Sequence, residues 1–254
     1  MTQPADKPGG GGDQAGGPPP SPPPTAAATV PASLERWTPA AGSRSAWLVL
    51  LVATAASIAL DLGTKWLAFE RVAGTPVHVT REDVMAISAS DARNVGMLIP
   101  PHEPVVAAPG VLEFTLVLNP GAVFGMGPGQ RWFFVGFTLI ALGFGVWMFA
   151  KWTRARDHWA HAAIGMLLGG GLGNLYDRLT IGVVRDFLHP LPGLKWPFGL
   201  RPLGGNGEIW PYVSNVADAL LLVGIVILLG YLYRREREER AATTARGRGE
   251  KEKA

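Results

Sequence analysis

Two aspartates, Asp186 and Asp218, are the residues best suited to chemistry in this sequence of 254 residues. Each lies near the end of an apolar run, and neither has an obvious adjacent cation except Arg185. Two carboxyl groups brought together do not both ionise, because the first charge raises the pKa of the second. One could then activate water as a base, while the other protonates a carbonyl oxygen or a leaving amine as an acid. The pair predicts peptide hydrolysis without a metal or covalent intermediate, and which aspartate is the base stays open because a coupled pair titrates as a unit.

Seven further polar residues stand near the ends of apolar runs, where such side chains are costly and are therefore candidates for function. Asp61 and Lys65 are four residues apart, so they share a helix face and could form an ion pair that orients the first apolar helix. Asp177 and Arg178 could be an ion pair at a helix end, and Asn215 could simply cap the last helix. All seven fall at the same predicted membrane boundary as Asp186 and Asp218. They are Asp61, Lys65, Asn119, Asn174, Asp177, Arg178 and Asn215.

Several other kinds of site are excluded or disfavoured by composition. The chain has no cysteine, which rules out disulfides, cysteine-ligated metals and a cysteine nucleophile. The G-x-S-x-G and H-E-x-x-H patterns are also absent from the sequence. His158 and His161 are far from the polar set, so we expect no metal and no cofactor. The formal net charge of +3 does not favour nucleic acid as a partner.

Four apolar runs must position these residues. A membrane-spanning helix needs roughly 20 mostly apolar residues. The second run reaches that length by itself, whereas the other three reach it only when the polar residues at their ends are included. The sequence therefore predicts an α-helical integral membrane protein with four transmembrane helices. Arginines and lysines flank the first run on its N-terminal side and follow the second and fourth runs, which places both termini in the cytoplasm and the polar set at the outer face. The runs are Ala46–Leu60, extending to Phe69, then Trp132–Ala150, Ala160–Tyr176 and Ala219–Tyr233.

The remaining segments complete the predicted organisation. Residues 1–44 are rich in proline and glycine and are expected to be a disordered cytoplasmic tail, residues 45–234 form the membrane domain, and residues 235–254 form a charged cytoplasmic tail. Val77, Val79 and the alternating residues of 112–118 predict strands in a small outer β-rich lobe at about 70–130. A second outer connection, about 188–211, is rich in proline, glycine and tryptophan and is predicted to be a mobile flap or an interfacial loop.

Five short motifs, in this order along the chain, resemble those of the lipoprotein signal peptidase (signal peptidase II) family of aspartyl membrane proteases. The resemblance covers about Ala46–Tyr233. Two departures are Arg185, where the family usually has a small apolar residue, and Ser214, which replaces a usual phenylalanine. The motifs are D-x-x-T-K at Asp61–Lys65, N-x-G-A-x-F at Asn119–Phe124, G-G-x-x-G-N-x-x-D-R at Gly169–Arg178, V-x-D-F at Val184–Phe187 and N-x-A-D at Asn215–Asp218.

The resemblance implies a catalytic pair at Asp186 and Asp218, framed by the other seven residues. It implies four transmembrane helices with a small extracytoplasmic β-lobe in the bacterial cytoplasmic membrane. The implied substrate is a prolipoprotein whose cysteine already carries diacylglycerol, cleaved immediately before that cysteine. Membrane lipids are then the other partners, and a monomer is expected.

Two other classes of function remain open from the residues alone. A small ion- or proton-coupled carrier could use the same carboxylates, although carriers commonly show internal repeats and the sequence shows none. A non-catalytic assembly protein is a third hypothesis, but it gives no reason for polar motifs at one depth. Loss of the signal peptide from a diacylglyceryl-modified prolipoprotein would discriminate the peptidase from both.

Overall fold

The computed structural model describes residues 38–88, 91–121, 131–201 and 207–251, and it contains five α-helices and three β-strands within them. The predicted tail at residues 1–44 lies almost wholly outside the described residues. The elements in chain order are α1 (Arg44–Arg71), α2 (Arg81–Ser88), β1 (Val105–Ala108), β2 (Leu112–Asn119), α3 (Arg131–Trp152), α4 (His158–Thr180), β3 (Val184–Pro190) and α5 (Val216–Lys251).

Four long helices occur where the four apolar runs predicted them, but three of them qualify as candidate spans among the described residues. These are α1, α3 and the first 30 residues of α5, to Ala245. The fourth, α4, has 23 residues and carries glycines and buried polar groups that lower its hydropathy. The protein is thus a helical membrane protein with three candidate apolar spans and a small sheet.

Helix α4 packs against α1, α3 and α5, and its glycines allow the close approach. A Cβ atom on Gly169 would collide with Ser57 of α1, and one on Gly170 would lie 2.8 Å from the carbonyl oxygen of Ala217 in α5. A Cβ atom on Gly173 would collide with the carboxylate of Asp61. All three glycines are thus positions of close packing between helices, and the last of them makes room for a charged group.

The sheet is antiparallel with the strand order β1-β2-β3. Strand β3 comes from the connection after α4, and its Asp186 pairs with Val117 while Val184 pairs with Asn119. Strand β2 was predicted from its alternation. The sequence did not indicate β3, because its seven residues include a histidine and a proline and show no simple alternation of apolar and polar residues.

The predicted strand at Val77 and Val79 is wrong. Residues 76–80 have no regular secondary structure, and Val77 is instead buried in a core with Phe69, donating its N–H to the Phe69 carbonyl oxygen at 2.8 Å. Helix α2 follows at once, because Thr80 and Asp83 bond each other's backbone N–H reciprocally, at 3.1 and 3.2 Å. This capping box is a helix start signal. The segment predicted to form a β-rich lobe is therefore mixed helix and strand.

Two other segments, the predicted flap and the C-terminal part of α5, have more regular structure than predicted. Part of the predicted flap forms two paired arms, since Lys195 bridges to Glu208 and Ile209 donates to the Leu194 carbonyl oxygen at 2.7 Å. Residues 202–206 lie outside the described residues, and the mobility of this segment stays a prediction. Helix α5 continues to Lys251 instead of ending near Tyr233, and ion pairs four residues apart, such as Arg235 with Glu239, stabilise the extension.

Candidate active site

Asp186 is a buried carboxylate held by two amide side chains. Strand β3 directs it away from solvent, so that the residue is 2% exposed. One carboxylate oxygen accepts from the Asn215 side chain (Nδ2 to Oδ1, 2.6 Å), and the other accepts from the Asn119 side chain (Nδ2 to Oδ2, 3.1 Å). Both donors are neutral, so these contacts orient the carboxylate without supplying a counter-charge.

Asn119 is positioned by the turn that ends β2. Its side-chain oxygen accepts the backbone N–H of Gly121 at 2.9 Å, which leaves the amide nitrogen directed at Asp186. Gly121 has φ of +98°, a conformation that other residues rarely adopt. This explains the glycine of the N-x-G element. Residues Ala122–Phe124 of the same motif lie outside the described residues.

Asp218 lies in the first turn of α5, where it forms a reciprocal cap with Asn215. The Asp218 backbone N–H donates to the Asn215 side-chain oxygen at 3.1 Å, and the Asn215 backbone N–H donates to Asp218 Oδ2 at 3.2 Å. The other Asp218 oxygen accepts from Asn174 Nδ2 at 2.9 Å. The predicted capping role of Asn215 is confirmed. Because its side chain also bonds Asp186, Asn215 holds both aspartates.

The pKa of Asp186 is raised from its ordinary value to about 7. Burial is the largest cause, because desolvation disfavours the charged form, and the negative charge of Asp218 adds to it. The hydrogen bonds from Asn215 and Asn119 act in the opposite direction, as does the more distant charge of Lys65. Asp186 is thus a group able to hold and release a proton near neutral pH.

Next to this pair, Lys65 is fully buried among three acceptors. Its ammonium nitrogen donates to Asp61 Oδ2 at 2.7 Å and to Asn174 Oδ1 at 2.9 Å, and it lies 3.3 Å from Asp177 Oδ2. These contacts match the three donors of an ammonium group, which is how a buried charge is tolerated. The predicted ion pair between Asp61 and Lys65 is confirmed. The other Asp61 oxygen accepts the backbone N–H of Ala217 at 2.9 Å and so ties α1 to the start of α5.

Asp177 differs from the prediction, since it pairs with Arg185 and Lys65 and not with Arg178. The guanidinium of Arg185 donates to Asp177 Oδ1 from Nε at 3.2 Å and from Nη2 at 2.7 Å. The Arg185 backbone N–H also donates to Asp177 Oδ2, at 3.1 Å. Strand residues alternate in direction, so Arg185 turns away from its neighbour Asp186 and toward α4. Arg185, the cation adjacent to Asp186 in the sequence, therefore neutralises Asp177 instead.

Arg178 takes a different position. Its Nη1 donates to the backbone carbonyl oxygen of Asn174 at 3.4 Å, and its guanidinium lies 5.2 Å from the centre of the Phe134 ring. The predicted helix-end ion pair with Asp177 is not formed, because the Arg185 fork and Lys65 already occupy both oxygens of that carboxylate.

All nine predicted site residues belong to one connected network. Eight are joined through side-chain hydrogen bonds or ion pairs, and Arg178 is joined through the Asn174 carbonyl oxygen. Arg185 and the backbone of Ala217 also belong to it, although neither was predicted. In the described part of the chain, no three His, Cys, Asp or Glu residues are arranged to hold a metal ion.

Comparisons with known proteins agree with the motifs. Residues 53–234 match the model of the family described as signal peptidase (SPase) II. A lipoprotein signal peptidase from Desulfitobacterium hafniense is 36% identical over 139 residues, which is 54% of this chain and 80% of that protein. One from Halothermothrix orenii is 33% identical over 50% of this chain and 74% of its own length. One from Streptococcus pyogenes serotype M1 is 30% identical over 50% and 73%.

Solved structures described as bacterial membrane enzymes also match. One has a TM-score of 0.48 at 22% identity and covers 75% of this chain and 88% of its own. Another has a TM-score of 0.43 at 23% identity and covers 67% and 93%.

Proposed function

This chain belongs to the signal peptidase II family, and on that premise we propose that Asp186 and Asp218 are the catalytic pair of an aspartic endopeptidase. Its substrate is a prolipoprotein whose cysteine carries diacylglycerol, and cleavage before that cysteine releases the signal peptide. The observation that carries the proposal is that Asn215 bonds both carboxylates at once, through its side chain to Asp186 and through its backbone to Asp218.

The surroundings suggest separate roles for the two aspartates. Asp186, with its pKa raised to about 7, holds the shared proton near neutral pH. Asp218 sits at the N-terminal end of α5, where the helix dipole favours negative charge, and it is the more exposed of the two. Asp218 is therefore the base and Asp186 the acid.

In the reaction, Asp218 removes a proton from a water molecule while the oxygen of that water attacks the scissile carbonyl carbon. Asp186 gives its proton to the carbonyl oxygen, which forms a tetrahedral diol. When the C–N bond breaks, the proton on Asp218 passes to the leaving amine, and a hydroxyl proton returns to Asp186. Both carboxyl groups recover their starting states, so no cofactor is consumed.

The remaining predicted residues position this pair. Asn119 orients Asp186, Asn174 orients Asp218, and Lys65 with Asp61 fixes the meeting of α1, α4 and α5. Asp177 anchors β3 through Arg185. Arg178 interacts electrostatically with both Asp186 and Asp218 and is a candidate to contact substrate.

We propose that α4 is a fourth membrane span. Its 23 residues extend about 34 Å at 1.5 Å per residue, which is enough to cross a bilayer core of about 30 Å. Its polar groups face α1 and α5 and are thus shielded from lipid. With four spans both termini lie on the same side, and the basic residues that flank α1, α3 and α5 indicate that this side is the cytoplasm, with the aspartates at the outer face. The chain acts as a monomer surrounded by lipid.

The activity is tested with the purified chain and a diacylglyceryl-modified prolipoprotein. We expect a mass loss equal to the signal peptide, and no cleavage of the same prolipoprotein without its lipid. Asp218→Asn should abolish cleavage, because the amide cannot accept the proton of water. Processing at the normal rate by this variant would overturn the assignment of the pair.

The topology is tested by single cysteines, because the natural chain contains none. Val111→Cys lies in the exposed turn between β1 and β2, and Thr244→Cys lies on the exposed end of α5. An impermeant maleimide added to intact cells should label the first and not the second. Labelling of both, or the reverse pattern, would contradict the proposed orientation.

A further inference from the structure

At the end of α4 remote from the aspartates, a cavity of about 430 Å³ opens between the start of α4 and the middle of α5. Asp177, near the other end of α4, is 19 residues beyond His158, which corresponds to about 28 Å along the helix. The cavity therefore has no part in the catalytic network. Its wall includes four arginines, Arg154, Arg156, Arg234 and Arg235.

Two acidic residues, Asp157 and Glu238, also line the cavity, so the four arginines give it a positive excess. Asp157 is part of the wall's own bonding, since its Oδ2 accepts from the Tyr231 hydroxyl at 2.7 Å and from the Arg154 backbone N–H at 2.8 Å. Arg235 bonds the Trp152 carbonyl oxygen and Glu239, and it holds α5 against the end of α3.

The same cavity has an apolar side. Ile227 and Gly230 belong to the apolar part of α5, and Trp159 of α4 is 78% exposed at its edge. Tryptophan in such a position is typical of the boundary between hydrocarbon and headgroups. Arg234 directly follows the last apolar residues of α5, so the arginines lie where headgroup phosphates lie if α5 spans the membrane.

We propose that this cavity binds the phosphate headgroup of an anionic phospholipid. Guanidinium groups suit phosphate because their planar donors can bond two of its oxygens. The acyl chains would leave along Ile227 and Trp159, into the hydrocarbon region. A free phosphate ion would bond the same arginines, but it has no apolar part to contact Ile227 and Trp159. The apolar side of the cavity therefore favours a lipid.

The test uses the full chain in micelles with a short-chain phosphatidylglycerol, and bound lipid is counted by native mass spectrometry. The double variant Arg156→Gln/Arg234→Gln removes two cavity charges. At about fivefold per charge, we expect lipid affinity to fall about 30-fold. The matched control is Arg237→Gln/Arg240→Gln, which removes two charges from exposed positions of α5 outside the cavity lining and should leave the affinity within about twofold.

Phosphatidylcholine and inorganic phosphate are the comparison ligands. The proposal is supported if the natural protein binds phosphatidylglycerol in preference to phosphatidylcholine and only the cavity variant loses this preference. Competition by millimolar inorganic phosphate would assign the cavity to free phosphate instead and overturn the lipid assignment. An equal loss in both double variants would indicate general surface charge and also overturn it. Arg156→Lys/Arg234→Lys, which keeps both charges, should retain binding and separates charge loss from misfolding.

Discussion

Asp177 and Asp186 are nine residues apart, both are buried, and their surroundings are opposite. Asp177 receives the Arg185 guanidinium and the Lys65 ammonium, so its charge is neutralised twice. Asp186 receives two neutral amides and faces a second carboxylate at Asp218. A buried carboxylate with cations is a structural anchor, whereas one with amides and a like charge is available for proton transfer.

The first test of this comparison is Asp186→Asn. We expect cleavage to fall by about 10³-fold or more, because the amide cannot donate the proton that a carboxyl group supplies. The fold should persist, since the amide resembles the protonated acid. Initial rates on lipid-modified prolipoprotein and thermal melting of the same sample measure both effects. Retained activity would show that Asp186 is not the acid.

The same variant also reports on stability. The pKa of Asp186 is raised in the folded state, so its protonation stabilises the fold below about pH 4, and this stabilisation is lost as pH rises through about 7. Asp186→Asn removes that dependence. The melting temperature of the variant relative to the natural protein should therefore rise between pH 4 and pH 8, and a constant difference would contradict the raised pKa.

Asp177→Asn should lower stability more than activity, in contrast to Asp186→Asn. It leaves Lys65 and Arg185 with one carboxylate fewer, and breaking a buried pair by removing one partner costs about 3–5 kcal/mol. We expect a large fall in melting temperature, with residual cleavage by the folded fraction at low temperature. A stable but inactive Asp177→Asn protein would reverse the roles assigned to the two aspartates.

Arg185→Gln is expected to have a smaller effect of the same kind. It removes the forked contact, worth about 1.5–3 kcal/mol for a bond to a charged group, but leaves the backbone N–H on Asp177. Arg185→Lys should recover part of the loss, because a point charge replaces the fork. Melting temperature is the measurement. Arg240→Gln, at an exposed position of α5, is the control and should change little.

The last test concerns the pH dependence of cleavage by the natural protein. Cleavage should decline as pH rises through about 7, because Asp186 then loses the proton it must donate. The fall approaches tenfold per pH unit above that value. The rate at saturating substrate across pH 5–9 measures it, and Arg185→Lys, which keeps its charge, should show the same profile. A cleavage rate that does not change between pH 5 and pH 9 would contradict the role of Asp186.

The sequence was sufficient for the long helices and for the convergence of the polar residues, because each long apolar run predicted a helix and the polar residues stand at or beside the ends of those runs. The pairing of Asp61 with Lys65 followed from their spacing. The partner of Asp177 could not be predicted in this way. It depends on β3 being a strand, which is set by pairing with β2 some 70 residues earlier, and only strand alternation sends Arg185 and Asp186 to opposite sides.

The helical parts of the lobe and of the C-terminal segment had local signals that the hydrophobic pattern obscured. Thr80 and Asp83 form a capping box, and Arg235 and Glu239 have the spacing of a helix surface pair. Reading such polar signals together with the apolar ones would have found both helices. The Val77 strand was wrong because its alternation spans too few residues to outweigh burial against Phe69.

Asn174 gives the network a direction. Its amide oxygen accepts from Lys65 and from Asn215, and its amide nitrogen donates to Asp218, so the side chain cannot be reversed without breaking three hydrogen bonds. A symmetric linker such as aspartate would present an acceptor on both sides and oppose Asp218 with another charge. The orientation of this one neutral amide thus separates the cation-bound carboxylates, Asp61 and Asp177, from Asp186 and Asp218.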